Sequence, residues 1–319
     1  MVDEEETIEK CLNSLLNQTM WRKCDFEIIV VNDGGNKKIR KILEKYPVKI
    51  ISSPSHLGAI KARNLGFKHS TGDYIFQAEA DAFYSPNYVE LCLSHLIRDP
   101  NVGSVYGYLH QWPSSSPFYK YWEELRKLTQ INYEPFSGWF FRRKDIEKVM
   151  EKFGRQQMYN EEVLLCEDLR LAEEIKKLGY KLAFEEKAEW WHRYPDSLKL
   201  IFKKGFQLGV SSFLKLKSPY ISIYKQLIIR ILLIFLLGIF LVALGFLHWI
   251  FPLIILITGY FGLFFLPIKA IKKKNQSLSC FKNFIFFYPI VYIVRYIGIT
   301  FGFLFTPFFL LIGKRPSHY

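Results

Sequence analysis

The sequence predicts an α/β domain followed by an apolar, membrane-type C-terminal region. Three observations predict it. Short strand-like apolar runs alternate with helical patterns through the N-terminal part. Acidic residues stand just past the ends of those strands. After Glu189 the only acidic residue is Asp196, and long apolar runs begin at Ile231.

The elements follow in order. Thr7–Asn17 reads as an amphipathic helix, with Ile8, Leu12, Leu15 and Leu16 on one stripe. Phe26–Val31 is a continuous apolar run ending in Asn32-Asp33-Gly34-Gly35, a buried strand running into a polar turn. Lys37–Lys45 reads as a helix, Val48–Ile51 as a strand, and Ala59–His69 as a helix stopped by Thr71-Gly72. Tyr74–Gln77 is a strand that runs into Glu79-Ala80-Asp81. Such alternation argues for a sheet with right-handed crossovers, in which ligands bind beyond the carboxyl ends of the strands. Asp33, Glu79 and Asp81 all fall there. Glu167-Asp168 opens an amphipathic helix whose apolar stripe includes Leu169, Leu171, Ala172 and Ile175.

Composition narrows the function classes. The formal net charge is +13, and its placement matters more than its size. Lys199, Lys203, Lys204, Lys215, Lys217, Lys225 and Arg230 lead into the first apolar run, and Lys269, Lys272, Lys273, Lys274 and Lys282 follow the second. Basic clusters beside apolar spans mark cytoplasmic flanks, which favours a membrane partner and argues against nucleic acid. The five cysteines show no CxxC pair and no histidine at ligand spacing, so reduced buried thiols are expected.

Residues 1–215 are therefore read as the soluble domain and 216–319 as the membrane region. Spans are expected at about 231–250 and 252–268, as a hairpin with Trp249 at the far interface. Residues 283–312 read as an interfacial helix in preference to a third span, because Arg295 sits at the centre and Pro289 and Pro307 break the run. The expected location is a multi-pass cell-membrane protein with its soluble domain in the cytoplasm.

At this point four motifs stand in order: IIVVNDGG, HLGAIKARNLGFKHSTGDYIFQAEAD, SGWFFRRKDIEKV with a following FG, and CEDLRLAEEIKKLGY. From Glu5 to about Gly209 the chain resembles the family 2 glycosyltransferases, which have the Rossmann-like GT-A nucleotide-sugar fold. The ending WWHRYPDSLKLIFKKGFQLG looks like members that carry membrane helices after the catalytic domain. The resemblance implies an inverting transfer from a UDP- or GDP-sugar donor to a lipid-linked acceptor, either a polyprenyl or dolichyl phosphate or a lipid-linked saccharide. A processive polysaccharide synthase fits less well, since no Gln-x-x-Arg-Trp motif is present. The alternative is a catalytically inactive membrane protein that keeps the nucleotide-sugar fold.

Residue by residue, the resemblance places Asp81 at the metal position of an acidic motif, with Glu79 in place of its usual first aspartate. The implied cofactor is a divalent cation, Mg2+ or Mn2+, held by these carboxylates and the donor's phosphates. Asp33 matches the aspartate that hydrogen-bonds the base. Arg63 is open to two roles, a phosphate contact or a helix-surface ion pair. Asp168, beside Glu167, matches the general base for an acceptor hydroxyl; acidic residues at a helix start are also ordinary caps. Gly138 lies where the backbone approaches the sugar, and Trp139 either stacks on a sugar or packs in the core. His192-Arg193 matches a basic motif near the diphosphate. Members of the family begin with a strand and a Pro-x-Tyr-Asn motif, whose last position is taken here by Asp3. That strand is missing from the sequence, and an N-terminally truncated chain is the expectation.

Overall fold

The computed structural model describes residues 4–129, 138–161, 167–214 and 277–311, with scattered positions between 229 and 273. The chain divides into two compact units, one formed by Met1–Trp112 and Thr129–Arg193, the other by Pro113–Leu128 and Tyr194–Tyr319. Composition alone puts the division at residue 215.

The first unit opens with α1 (Glu4–Leu16), β1 (Ile29–Asn32), α2 (Lys37–Leu43), β2 (Lys49–Ser52) and α3 (Ala59–His69). β1 and β2 pair in parallel, with Ile29 opposite Lys49 and Asn32 opposite Ser52. The predicted stripe of α1 is buried through Ile8 and Leu12, which pack on Ile39 and Leu43 of α2. α2 begins where the Asn36 side chain accepts from the amides of Lys38 and Ile39, satisfying two of the donors a helix start leaves open.

The chain continues through β3 (Tyr74–Gln77), β4 (Ala82–Tyr84), α4 (Tyr88–Arg98), β5 (Val102–Gln111), β6 (Trp139–Arg142), α6 (Arg143–Lys152), α7 (Glu167–Lys177) and β7 (Lys181–His192); α5 (Phe118–Thr129) lies between β5 and β6. Five strands form one sheet in the order β3-β6-β5-β7-β4. Only β5 and β7 pair in parallel; β3 with β6, β5 with β6, and β4 with β7 are antiparallel. The sheet is mixed. The parallel pair carries an irregularity between Gly107 and Tyr108. There the backbone passes so close to Ala188 that a Cβ on Gly107 would overlap its carbonyl oxygen. Trp139, Phe141, Ile146, Val149, Leu171, Ala172 and Ile175 form the core between this sheet and helices α6 and α7.

In the second unit α5 packs on α8 (Leu198–Leu214) and α9 (Lys282–Leu311). Phe118, Tyr121, Trp122 and Leu128 of α5 are buried with Ile201, Phe284 and Val291. The Glu124 carboxylate accepts from the Asn283 side chain at 2.7 Å and from the Phe284 amide at 2.6 Å, a negative group set at the positive end of α9. α9 continues through both Pro289 and Pro307, so the breaks expected there are absent. Taken with the 3-10 turn that leads into it, the helical stretch Leu278–Pro307, with mean hydropathy 1.7, is the one helix among the described residues long and apolar enough to cross a membrane. The expected spans at about 231–250 and 252–268 lie largely outside the described residues.

Candidate active site

The site is assembled where β1 and β3 end and where α3 and α7 begin. Asp33 follows β1, and its side chain is held by the loop that leads into α3. The Leu57 amide donates to Oδ1 at 2.6 Å, the Gly58 amide to Oδ2 at 2.9 Å, and His56 Nδ1 lies 2.9 Å from Oδ2. Gly58 has φ +87°, a left-handed backbone that glycine adopts without strain. Asp33 thus latches the start of the helix that carries Arg63.

One turn further on, Arg63 bridges two carboxylates. Its Nη2 donates to Glu79 Oε1 at 2.8 Å, and its Nη1 donates to Glu167 Oε1. Of the two roles open to Arg63, the structure shows the ion pair. Glu79 and Glu167, 88 positions apart in the numbering, are joined through it. Asp168, 6% exposed, sits beside this triad. Burial raises its pKa well above the ordinary carboxylate range; the charges of Glu167 and Glu79 push the same way and Arg63 opposes them. For Arg63, burial works against the charged form, but Glu79, Glu167 and Asp168 outweigh it and the guanidinium stays charged.

The turn that carries Glu79 and Asp81 is fixed from both sides. Cys11 of α1 donates its thiol to the Glu79 carbonyl at 3.2 Å, and the Glu79 amide donates to the Tyr84 hydroxyl at 2.9 Å. Burial, with Asp81 and Glu79 nearby, pushes the Cys11 thiol up to about 12. The thiol is therefore a proton donor here and no nucleophile. The Asp81 carboxylate is 48% exposed, and its Oδ1 lies 3.2 Å from His192 Nε2. The Arg193 amide donates to the Asp81 carbonyl at 3.2 Å. The antiparallel pairing of β4 with β7 puts Ala82 opposite His192, which brings this turn and the basic pair together.

Two predicted residues belong to the core. Trp139 is 2% exposed, packed against Phe141 and Tyr106, so its ring has no face free for a sugar. Gly138, at φ +74°, accepts from the Tyr88 hydroxyl at 2.7 Å, and a Cβ there would sit 3.0 Å from that oxygen and 3.1 Å from Trp190. The close approach it permits is to these two rings.

Sequence reasoning missed Tyr159. Its hydroxyl donates to Gln77 Oε1, its amide donates to Asn64 Oδ1 at 2.8 Å, and Asn64 Nδ2 donates back to its carbonyl at 2.9 Å. This buried clasp ties α3, the end of β3 and the loop before α7 into one frame around Arg63. The Tyr159 loop has no periodic pattern, so nothing in the sequence marked it.

The profile of the family described as glycosyl transferase family 2 matches residues 1–164. That is just over half of the chain, and it includes Asp33, Arg63, Glu79 and Asp81. The chain belongs to glycosyl transferase family 2. A chondroitin synthase from Pasteurella multocida is 33% identical to this glycosyltransferase over 104 residues, which cover 31% of this chain and 10% of that one. A poly-beta-1,6-N-acetyl-D-glucosamine synthase from Staphylococcus aureus is 25% identical over 217 residues, covering 63% of this chain and 50% of that one. The glycosyltransferase thus spans half or less of the length of these curated relatives. Among solved structures, a mannosyltransferase from Pyrobaculum calidifontis in complex with GDP-mannose and Mn2+ superposes with a TM-score of 0.57 at 16% identity, over 94% of this chain and 84% of that one. The fold is that of the GT-A glycosyltransferases.

Proposed function

We propose that this glycosyltransferase is membrane-anchored and inverting, and that it moves a sugar from a UDP- or GDP-sugar to a lipid-linked acceptor at the cytoplasmic face. The observation that carries this reading is Asp168, a buried carboxylate with a raised pKa, beside an arginine that bridges Glu79 and Glu167. A general base gains from a pKa above the ordinary carboxylate range, and burial beside like charges raises that of Asp168. Asp168 accepts the proton of an acceptor hydroxyl as that oxygen attacks the anomeric carbon. Arg63 offsets part of the repulsion that Asp168 meets from its two acidic neighbours. The Asp33 latch holds the loop 56–58 beside the donor's base.

A divalent cation fits the second cluster. Asp81 and His192 present an exposed carboxylate and an imidazole 3.2 Å apart, a donor set suited to Mn2+ or Mg2+ once diphosphate oxygens complete it. Glu79 would have to release Arg63 to join them. Among the described residues no group of three or more His, Cys, Asp or Glu side chains stands ready to hold a metal, so the donor's phosphates are part of the site. When bound, the cation stabilises charge on the leaving diphosphate. Arg193 adds positive charge beside Asp81. The GDP-mannose and Mn2+ bound by the mannosyltransferase of like fold support a nucleotide donor and a divalent cation here.

A panel of radiolabelled UDP- and GDP-sugars, each with polyprenyl phosphate, lipid-linked saccharide or oligosaccharide acceptor, tests the reading. With a hydroxyl acceptor, Asp168→Asn should lower kcat by about 10²–10⁴-fold while donor affinity is retained. A full rate in that variant would remove Asp168 from the base role. Transfer only to a soluble oligosaccharide would remove the lipid acceptor.

A further inference from the structure

In the C-terminal unit two arginines mark one level along its helices. Arg230 Nη1 donates to the Tyr296 hydroxyl at 2.8 Å, and Arg295 directly precedes Tyr296. Tyr288, Tyr292 and Tyr296 line one side of α9 at successive turns, with ring centroids 5.6 and 4.4 Å apart. Both guanidinium groups lie within electrostatic range of Tyr288.

Exposed apolar side chains flank that level on both sides. Before it, Phe118, Tyr121 and Trp122 of α5 pack on α9, while Phe286 is exposed. Beyond Arg230, the large apolar residues Leu233, Leu236, Leu237, Ile239 and Phe240 are exposed. Beyond Arg295, Ile297, Phe301, Leu304 and Phe305 are exposed as well. From Tyr296 to the end of α9 at Leu311 the helix rises about 24 Å, most of the ~30 Å of a bilayer's hydrocarbon. Arg230 and Arg295 therefore stand among exposed apolar side chains.

Few acidic groups are available to balance their charge within this unit. Its carboxylates are Glu123, Glu124 and Asp196. Glu124 is engaged at the first turn of α9. Among the described residues neither Arg230 nor Arg295 is in an ion pair. A guanidinium at the edge of hydrocarbon is costly without an anion, and its planar fork suits phosphate oxygens. We propose that Arg230, Arg295 and the Tyr296 hydroxyl bind the phosphate of an anionic phospholipid. The site lies wholly within the C-terminal unit and does not rest on the transfer reaction.

The test uses the full chain in nanodiscs of phosphatidylcholine with a minor share of phosphatidylglycerol, with the lipids retained after transfer to detergent counted by native mass spectrometry. The wild-type chain should retain phosphatidylglycerol in preference to phosphatidylcholine. Arg230→Gln and Arg295→Gln should each weaken that retention about fivefold, and Arg295→Lys should keep most of it. Equal retention by a folded double glutamine variant would overturn the proposal. Displacement of the lipid by inorganic phosphate would overturn it too, since it would mark a free-anion site. Should the double variant lack a melting transition, Tyr296→Phe serves instead; about fivefold weaker retention is expected, and unchanged retention refutes the site.

Discussion

Arg63 Nη2 lies 2.8 Å from Glu79 Oε1, so the first acidic position of the Glu79-Ala80-Asp81 turn is neutralised by a cation from α3. The same guanidinium holds Glu167 at the start of α7. Removing it would leave two carboxylates facing each other next to Asp168, all three with little exposure. Arg63→Met should therefore cost about 3–5 kcal/mol of stability, as breaking one side of a buried ion pair does. Arg63→Met with Glu167→Gln should recover part of that loss, because one of the stranded charges is gone. Urea unfolding of the two variants measures it, and an additive double variant would show that the groups do not interact.

The raised pKa of Asp168 carries a sign for both activity and stability. As the proposed base it must be ionised, so kcat/KM should rise with pH through a value above the ordinary carboxylate range, and Asp168→Asn should erase that limb. The folded pKa exceeds the unfolded one, so the fold favours the protonated form. The stability Asp168 contributes is complete below its unfolded pKa and is lost as pH climbs through the folded value. At neutral pH Asp168→Asn should accordingly melt higher than the wild type while being far less active. Arg63→Met, which removes the charge that lowers this pKa, should move the acid limb further up.

Local chemistry was legible in the sequence, and distant pairing was not. β1, β3 and α3 showed through their apolar runs, and the acidic positions past β1 and β3 followed from strand ends. Nothing local could show that Arg63 faces Glu167, because that contact joins helices brought together only by the mixed sheet. Nor could it show that α5, inserted between β5 and β6, packs with α8 and α9. Its apolar face is an ordinary amphipathic stripe, and which partner covers it is decided elsewhere in the chain. Trp139 and Gly138 have the same cause: their neighbours Tyr88, Tyr106 and Trp190 lie far off in sequence.

Asp33 should behave as a latch. Both of its oxygens are taken by loop 56–58, so Asp33→Ala leaves two amides without an acceptor. A loss of about 1–3 kcal/mol is expected, together with weaker donor binding, since the loop and the start of α3 loosen together. Thermal unfolding and donor titration on one preparation decide the point. A variant with wild-type melting but much weaker donor binding would show that Asp33 acts on the nucleotide alone.

The C-terminal helices make the last prediction. Gly205 and Gly209 of α8 lie against Arg295 and Ile299 of α9, while Gly298 and Gly302 of α9 lie against Phe202 and Phe206 of α8. The numbers rise together on both helices, so the pair runs parallel with two small-xxx-small faces opposed. At each of the four positions a Cβ would overlap a backbone carbonyl oxygen of the other helix. The backbones cannot separate without uncovering the shared core around Ile299 and Phe303. Gly209→Leu or Gly302→Leu should therefore destabilise the unit by at least the 1–3 kcal/mol typical of overpacking, read as a lower melting temperature in detergent and faster proteolysis of α8. Gly262→Leu is the matched control, because a Cβ there meets nothing within 4 Å. Equal losses at Gly262 and Gly209 would mean that bulk in an apolar helix, and not contact between α8 and α9, sets the cost.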